Sequence, residues 1–147
     1  MTVEFLAEVQ SIVEPLLSGL GFWLDEYDGD VPEGGPRSSV VYFRSKDCKI
    51  QIYQSTREAS INCMIAPLAA PNVFGPTDVS GKWQYVVMLA IEHGIPREEI
   101  IKDKLPADFP TTAQKLKWVA GRIEKYFPIA HEDVLKMGGP EYWNSGP

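Results

Sequence analysis

Apolar positions spaced by three and four open the chain, alternation by two follows, and three- and four-residue spacing returns near the end. In residues 2–18, Phe5, Leu6, Val9, Ile12, Val13, Leu16 and Leu17 fall on one stripe, which predicts an amphipathic helix. Thr2 is placed to cap it, Pro15 to kink or fray its last turn, and Gly19 and Gly21 to stop it. Residues 22–27 alternate and read as an edge strand. Residues 28–39 then lose all periodicity among glycines and prolines and read as a loop.

Residues 39–66 read as three antiparallel strands joined by tight turns at Lys46–Asp47 and Thr56–Arg57. That register sets Phe43 opposite Ile50, Val41 opposite Ile52, Ile52 opposite Ile61 and Ile50 opposite Cys63. One face is then wholly apolar: Val41, Phe43, Cys48, Ile50, Ile52, Ala59, Ile61, Cys63 and Ile65. It is expected to bury against the first helix. The other face carries Val40, Tyr42, Arg44, Lys49, Gln51, Tyr53, Ser60, Asn62 and Met64, and antiparallel sheets often leave such a face in water.

Residues 66–80 hold three prolines and read as a long connection. Ser80 is expected to cap a helix over 81–93, with Trp83, Val86, Val87, Ala90 and Ile91 on its apolar side and Gly94 after its end. Pro96 opens a short helical turn. Thr111 caps a helix over 112–126, Pro128 is expected to break it, and a shorter helix over 130–137 should stop at Gly138–Gly139. Tyr142 and Trp143 are expected to dock the tail on the body. The fold class is therefore α+β: an N-terminal helix, an antiparallel meander of three to four strands, and C-terminal helices, in one domain over 1–147.

Composition supports this picture. At 147 residues, 44% hydrophobic and 23% charged, the chain suits a globular domain with a real core. No apolar run approaches the roughly 20 residues that span a bilayer, and the first ten residues lack a basic leader, so the expectation is a cytoplasmic protein without membrane attachment. The net charge of −6 lies wholly in residues 1–47. With no basic stripe to replace phosphate counterions, nucleic acid is excluded as a partner. The acidic third serves solubility or a basic protein partner.

Candidate chemistry is sparse. Asp25, Glu26, Asp28, Asp30 and Glu33 crowd one segment, but the order of a calcium loop is missing, and Asp25 and Glu26 should point to opposite faces of a strand. His93 is explained by a helix C-terminus. His131 with Glu132 and Asp133 does not converge on a metal from adjacent helical positions. Cys48 and Cys63, diagonal on the inner face, read as small buried hydrophobes without a bridge. No nucleotide, metal or nucleophile motif occurs, so no cofactor is expected. The outer sheet face, through Tyr42, Arg44, Gln51, Tyr53 and Asn62, mixes aromatic and hydrogen-bonding groups as protein-binding patches do. Asp28 and Asp30 join it as the acidic candidate contact.

The helix ending LLSGLGF, the meander VVYFRS…CKIQIYQ…EASINCMI and the late AGRIEKYFPIAHEDVL resemble small bacterial α+β proteins of unassigned function, some presumed to be immunity proteins for toxins. Similarity also extends to small secretion-chaperone-like domains, which start with a helix followed by a meander. The proline-rich segment 66–80 departs from the first group, and no site residues carry over. The resemblance implies a non-enzymatic interaction module that occludes a partner. The rival is a ligand-binding or enzymatic domain with a pocket between sheet and C-terminal helices. A pocket that brings His93 or His131 beside a carboxylate favours the rival; a flat, exposed sheet favours the module. The sequence sets neither the oligomeric state nor the partner.

Overall fold

The structure, a computed structural model, describes residues 2–105 and 107–137. Its elements are α1 (Thr2–Ile12), α2 (Glu14–Gly19), β1 (Trp23–Val31), β2 (Ser38–Arg44), β3 (Cys48–Ser55), β4 (Ser60–Pro67), β5 (Gln84–Tyr85), α3 (Val86–Glu92), α4 (Arg97–Lys102) and α5 (Thr112–Met137). The five strands form one antiparallel sheet in chain order, β1-β2-β3-β4-β5. The class is α+β as the pattern implies, with β5 as the strand beyond the expected four.

The helices cover one face of the sheet. Val41, Phe43, Cys48, Ile50, Ile52, Ile61 and Ile65 meet Phe5, Val9, Val13 and Leu17 from α1, α2 and the residue between them, and Leu116, Val119, Ile123 and Phe127 from α5. Pro15 falls in the first turn of α2, where its missing N–H costs nothing, and the expected kink is the break at Val13. The Thr2 cap, the stop at Gly138–Gly139 and the docking of Tyr142 and Trp143 lie outside the described side chains and residues.

The β2–β3 register is the expected one, with Phe43 opposite Ile50 and Val41 opposite Ile52. The β3–β4 register differs. Ile52 faces Cys63 and Ile50 faces Ile65, because residues 56–59 make a four-residue turn in place of a two-residue one. A slip of two keeps every side chain on its own face, so the apolar pattern is blind to it. Ala59 leaves the core for the exposed turn, at φ +54°. Both cysteines are free thiols.

β1 runs to Val31, well into the expected loop, with irregularities in its pairing between Leu24 and Glu26 and between Asp28 and Val31. Trp83 lies outside any helix: residues 84–85 pair with β4 and α3 begins only at Val86. Pro128 does not break α5. It is exposed, as is Glu124, whose carbonyl loses its helical partner, so the freed group belongs to a residue on the solvent side of the helix while Phe127, Ala130 and Val134 hold both halves on the core. Thr111 caps α5 as expected: its Oγ1 accepts from Gln114 N at 3.1 Å, and Gln114 Oε1 accepts from Thr111 N at 2.8 Å.

The other face of the sheet is not free. Residues 68–83 fold back across it and bury Val40, Tyr42, Tyr53 and Met64 beneath Ala70, Phe74 and Trp83. Polar groups stitch this layer down. Lys49 Nζ donates to Ala70 O at 2.7 Å, Gln51 Nε2 to Val73 O at 3.0 Å, Gly75 N to Gln51 Oε1 at 2.8 Å, and Trp83 Nε1 to Pro71 O at 2.9 Å. Burial lowers the Lys49 ammonium and pushes the Tyr42 and Tyr53 hydroxyls above the usual tyrosine range. Gly75 sits so close to the sheet that a Cβ there would run into Met64 Sδ. The rim is held by Glu33, whose carboxylate accepts from Ser38 Oγ, from Ser55 Oγ at 2.8 Å and from Arg57 N at 3.4 Å.

Candidate functional site

The β2–β3 turn is built around one hydroxyl. Ser45 N donates to Cys48 O at 2.9 Å and closes the turn. Ser45 Oγ accepts from the Asp47 and Cys48 amides at 3.2 and 3.1 Å, and lies 3.0 Å from Asp47 Oδ1. The local chemistry thus satisfies the turn backbone, holds the Asp47 carboxylate outward, and leaves the Cys48 side chain in the core.

α5 brings the second half of the site. Phe127 and His131 are one helical turn apart, and their rings stack at 4.9 Å and 16°. His131 Nε2 lies 3.1 Å from Asp47 Oδ1, a contact across 84 residues of sequence, and both side chains are only about 30% exposed. Phe127 in turn packs edge-on to Phe22 at 5.7 Å. The turn from Gly19 to Trp23 forms the remaining wall. Together these elements enclose a cleft of about 430 Å³, with Lys46 and the half-exposed Trp23 indole at its edge.

Burial alone would raise the Asp47 carboxyl. The hydrogen bonds from His131 and Ser45 outweigh it and hold that group below the usual carboxylate range. Burial pushes the Cys48 thiol up to about 12, against the Ser45 hydrogen bond. A fully buried thiol so disposed is not a nucleophile at neutral pH. Its Sγ nonetheless lies within 4.8 Å of donor atoms on Asp47 and His131, the only such trio of metal-ligating side chains among the described residues.

The sequence-derived candidates scatter. Tyr42, Gln51 and Tyr53 are buried under residues 68–83, which removes them from any free surface and corrects the expectation of an open face. Arg44 and Asn62 are half-buried, with Asn62 Nδ2 turned to Tyr53 Oη at 3.3 Å. Asp28 and Asp30 are exposed, and Asp30 pairs with Arg37 at 3.3 Å. Asp25 and Glu26 do not point apart: the irregularity in β1 lets both carboxylates accept from Asn72 Nδ2, at 3.0 and 2.8 Å. His93 caps the C-terminus of α3 as expected and also meets Asp133 at 3.0 Å. His131 is drawn to Asp47 and not to its helical neighbours. Ser45 and Asp47 are missed by sequence reasoning; the one signal they offer is a serine two residues before an aspartate at a tight turn.

No family model, curated protein or solved structure matches the chain. No helix among the described residues is long and apolar enough to cross a membrane.

Proposed function

We propose that the chain is a small-ligand-binding domain whose site is the cleft between the α2–β1 turn, the β2–β3 turn and α5. The observation that carries this reading is the convergence of His131 and Asp47, 3.1 Å apart, at the edge of a concave space of about 430 Å³. A pocket with few convergent polar groups and a perturbed carboxylate is the usual form of a ligand site. Trp23, with 53% of its surface exposed, and the Phe127–His131 stack offer flat apolar surfaces; Lys46, Asp47 and His131 offer polar groups. That chemistry suits a small organic molecule with a planar part and one hydrogen-bonding end. A fragment screen followed by backbone NMR shifts on chelator-treated protein tests it. Binders should shift residues 19–23, 45–48 and 127–131 together, and Trp23→Ala should weaken them. Binders that move only other regions would sink the reading.

An interaction module remains as the second reading, supported by Asp28 and Asp30, which stay exposed on β1 at the edge of the sheet. A basic protein would be the partner, and the outer sheet face plays no part in it.

A further inference from the structure

We infer that Asp47, Cys48 and His131 bind a divalent transition ion of the zinc class, with its open coordination position facing the cleft. The inference rests on the cleft being a ligand site and names the chemistry at its Asp47–His131 edge. The donor set is one carboxylate oxygen, one thiol sulfur and one imidazole nitrogen, all within 4.8 Å of one another. Metal–ligand bonds of 2.0–2.3 Å place tetrahedral donors about 3.3–3.8 Å apart, so side-chain rotation of about an ångström closes the set. Asp47 Oδ1 and His131 Nε2, at 3.1 Å, lie just inside that spacing and need only a slight parting to admit the ion.

The turn explains why the set is mixed. Ser45 Oγ holds the amides of both Asp47 and Cys48, which fixes adjacent residues so that one side chain lies at the surface and the other in the core. Sulfur then approaches from beneath, oxygen and nitrogen from above. Turn closure accounts for Ser45 and Asp47 and engages the Cys48 thiol, 3.5 Å from Ser45 Oγ, but does not require an imidazole beside them. Three protein ligands with one position left to solvent or substrate is the pattern of an open zinc site. A thiolate donor disfavours magnesium and calcium.

Charge and protons balance. Asp47 enters as carboxylate. The Cys48 S–H bond breaks as the sulfur–metal bond forms, and its proton goes to solvent. The imidazole binds neutral through one ring nitrogen and keeps its proton on the other. Two anionic ligands then neutralise the divalent ion, which suits a half-buried position.

Cobalt(II) titration of the chelator-stripped full chain is the test. A 1:1 complex should develop a thiolate-to-cobalt charge-transfer band together with the strong visible bands of tetrahedral cobalt, and zinc should bleach both. Cys48→Ala should abolish the charge-transfer band, and His131→Gln, at a side chain only 28% exposed, should weaken binding at least about tenfold in a variant whose far-UV circular dichroism matches the wild type. A saturated wild-type titration with no thiolate band, or equal cobalt affinity in His131→Gln, overturns the inference. Organic binders that still occupy the cleft of the stripped protein would then leave the ligand reading standing alone. Loss of both removes the site.

Discussion

The sheet is buried on both faces, but by different means. On one side, helices α1, α2, α3 and α5 lay aliphatic and aromatic side chains on Val41, Phe43, Ile50, Ile52 and Ile65, and no polar side chain of β3 is required to hold them. On the other, sixteen residues without a strand or a long helix are fixed by side chains of β3 itself, Lys49 and Gln51, reaching to backbone groups of the segment. The first layer rests on area removed from water, which is non-directional and cooperative. The second rests on a small apolar cluster plus directional bonds, each of which must be replaced by water if the segment lifts. The helix face therefore sets global stability, whereas the segment can open as a local unit.

Phe43→Ala tests the first half most severely. Truncating a fully buried phenylalanine should cost about 3–5 kcal/mol in urea unfolding, lowering the midpoint for the whole molecule. A loss confined to one local probe would mean that the helix layer is not the common core. Gln51→Ala tests the second half with a smaller effect. It strands the Gly75 amide and the Val73 carbonyl, at about 1–3 kcal/mol. Hydrogen exchange should quicken within 68–83 while α1 and α5 keep their protection; uniform acceleration would erase the distinction between the layers.

The smallest effect concerns pH. Burial tends to raise the Glu33 carboxyl, but hydrogen bonds from Ser38 and Ser55, the Arg57 amide and the Arg57 charge more than offset it, so its folded value is lowered. A lowered carboxyl contributes stability that is present above the unfolded value of about 4.3 and fades as pH falls through the folded value. Glu33→Gln should thus flatten the acid limb of the stability curve below about pH 4.3, with the change felt at the 33–38 and 55–57 rim. An unchanged limb would show that Glu33 does not hold the 33–38 and 55–57 rim.

The helix face was legible because Ile50, Ile52 and Ile65 alternate by two and Val9, Val13, Leu116 and Ile123 repeat by three and four, periods set by backbone geometry alone. The two-residue slip between β3 and β4 was not, since Ile61 and Ile65 are equivalent to any test that counts faces. Tyr42, Gln51 and Tyr53 read the same in a wet face as in one covered by a loop. What distinguishes the two is the trio Ala70, Phe74 and Trp83, spread among prolines without periodicity. Pro128 misled because the cost of a missing amide depends on whether water reaches the freed carbonyl. The site was the least legible part. His131 and Asp47 meet only because α5 crosses the sheet at the β2–β3 turn, and no local pattern encodes a contact between residues so far apart along the chain.

Gly75 sets a rule of substitution that reaches beyond its own position. Since any side chain there would collide with Met64 Sδ, the two sites share one small volume, and what one gains the other must give up. Variation at 64 and 75 should be correlated: alanine at 75 requires the Met64 thioether to swing aside, a shorter residue at 64 removes that need, and a library randomised at both should be enriched in such pairs. The spacing between the sheet and its covering segment is in that sense written twice in the chain, eleven residues apart.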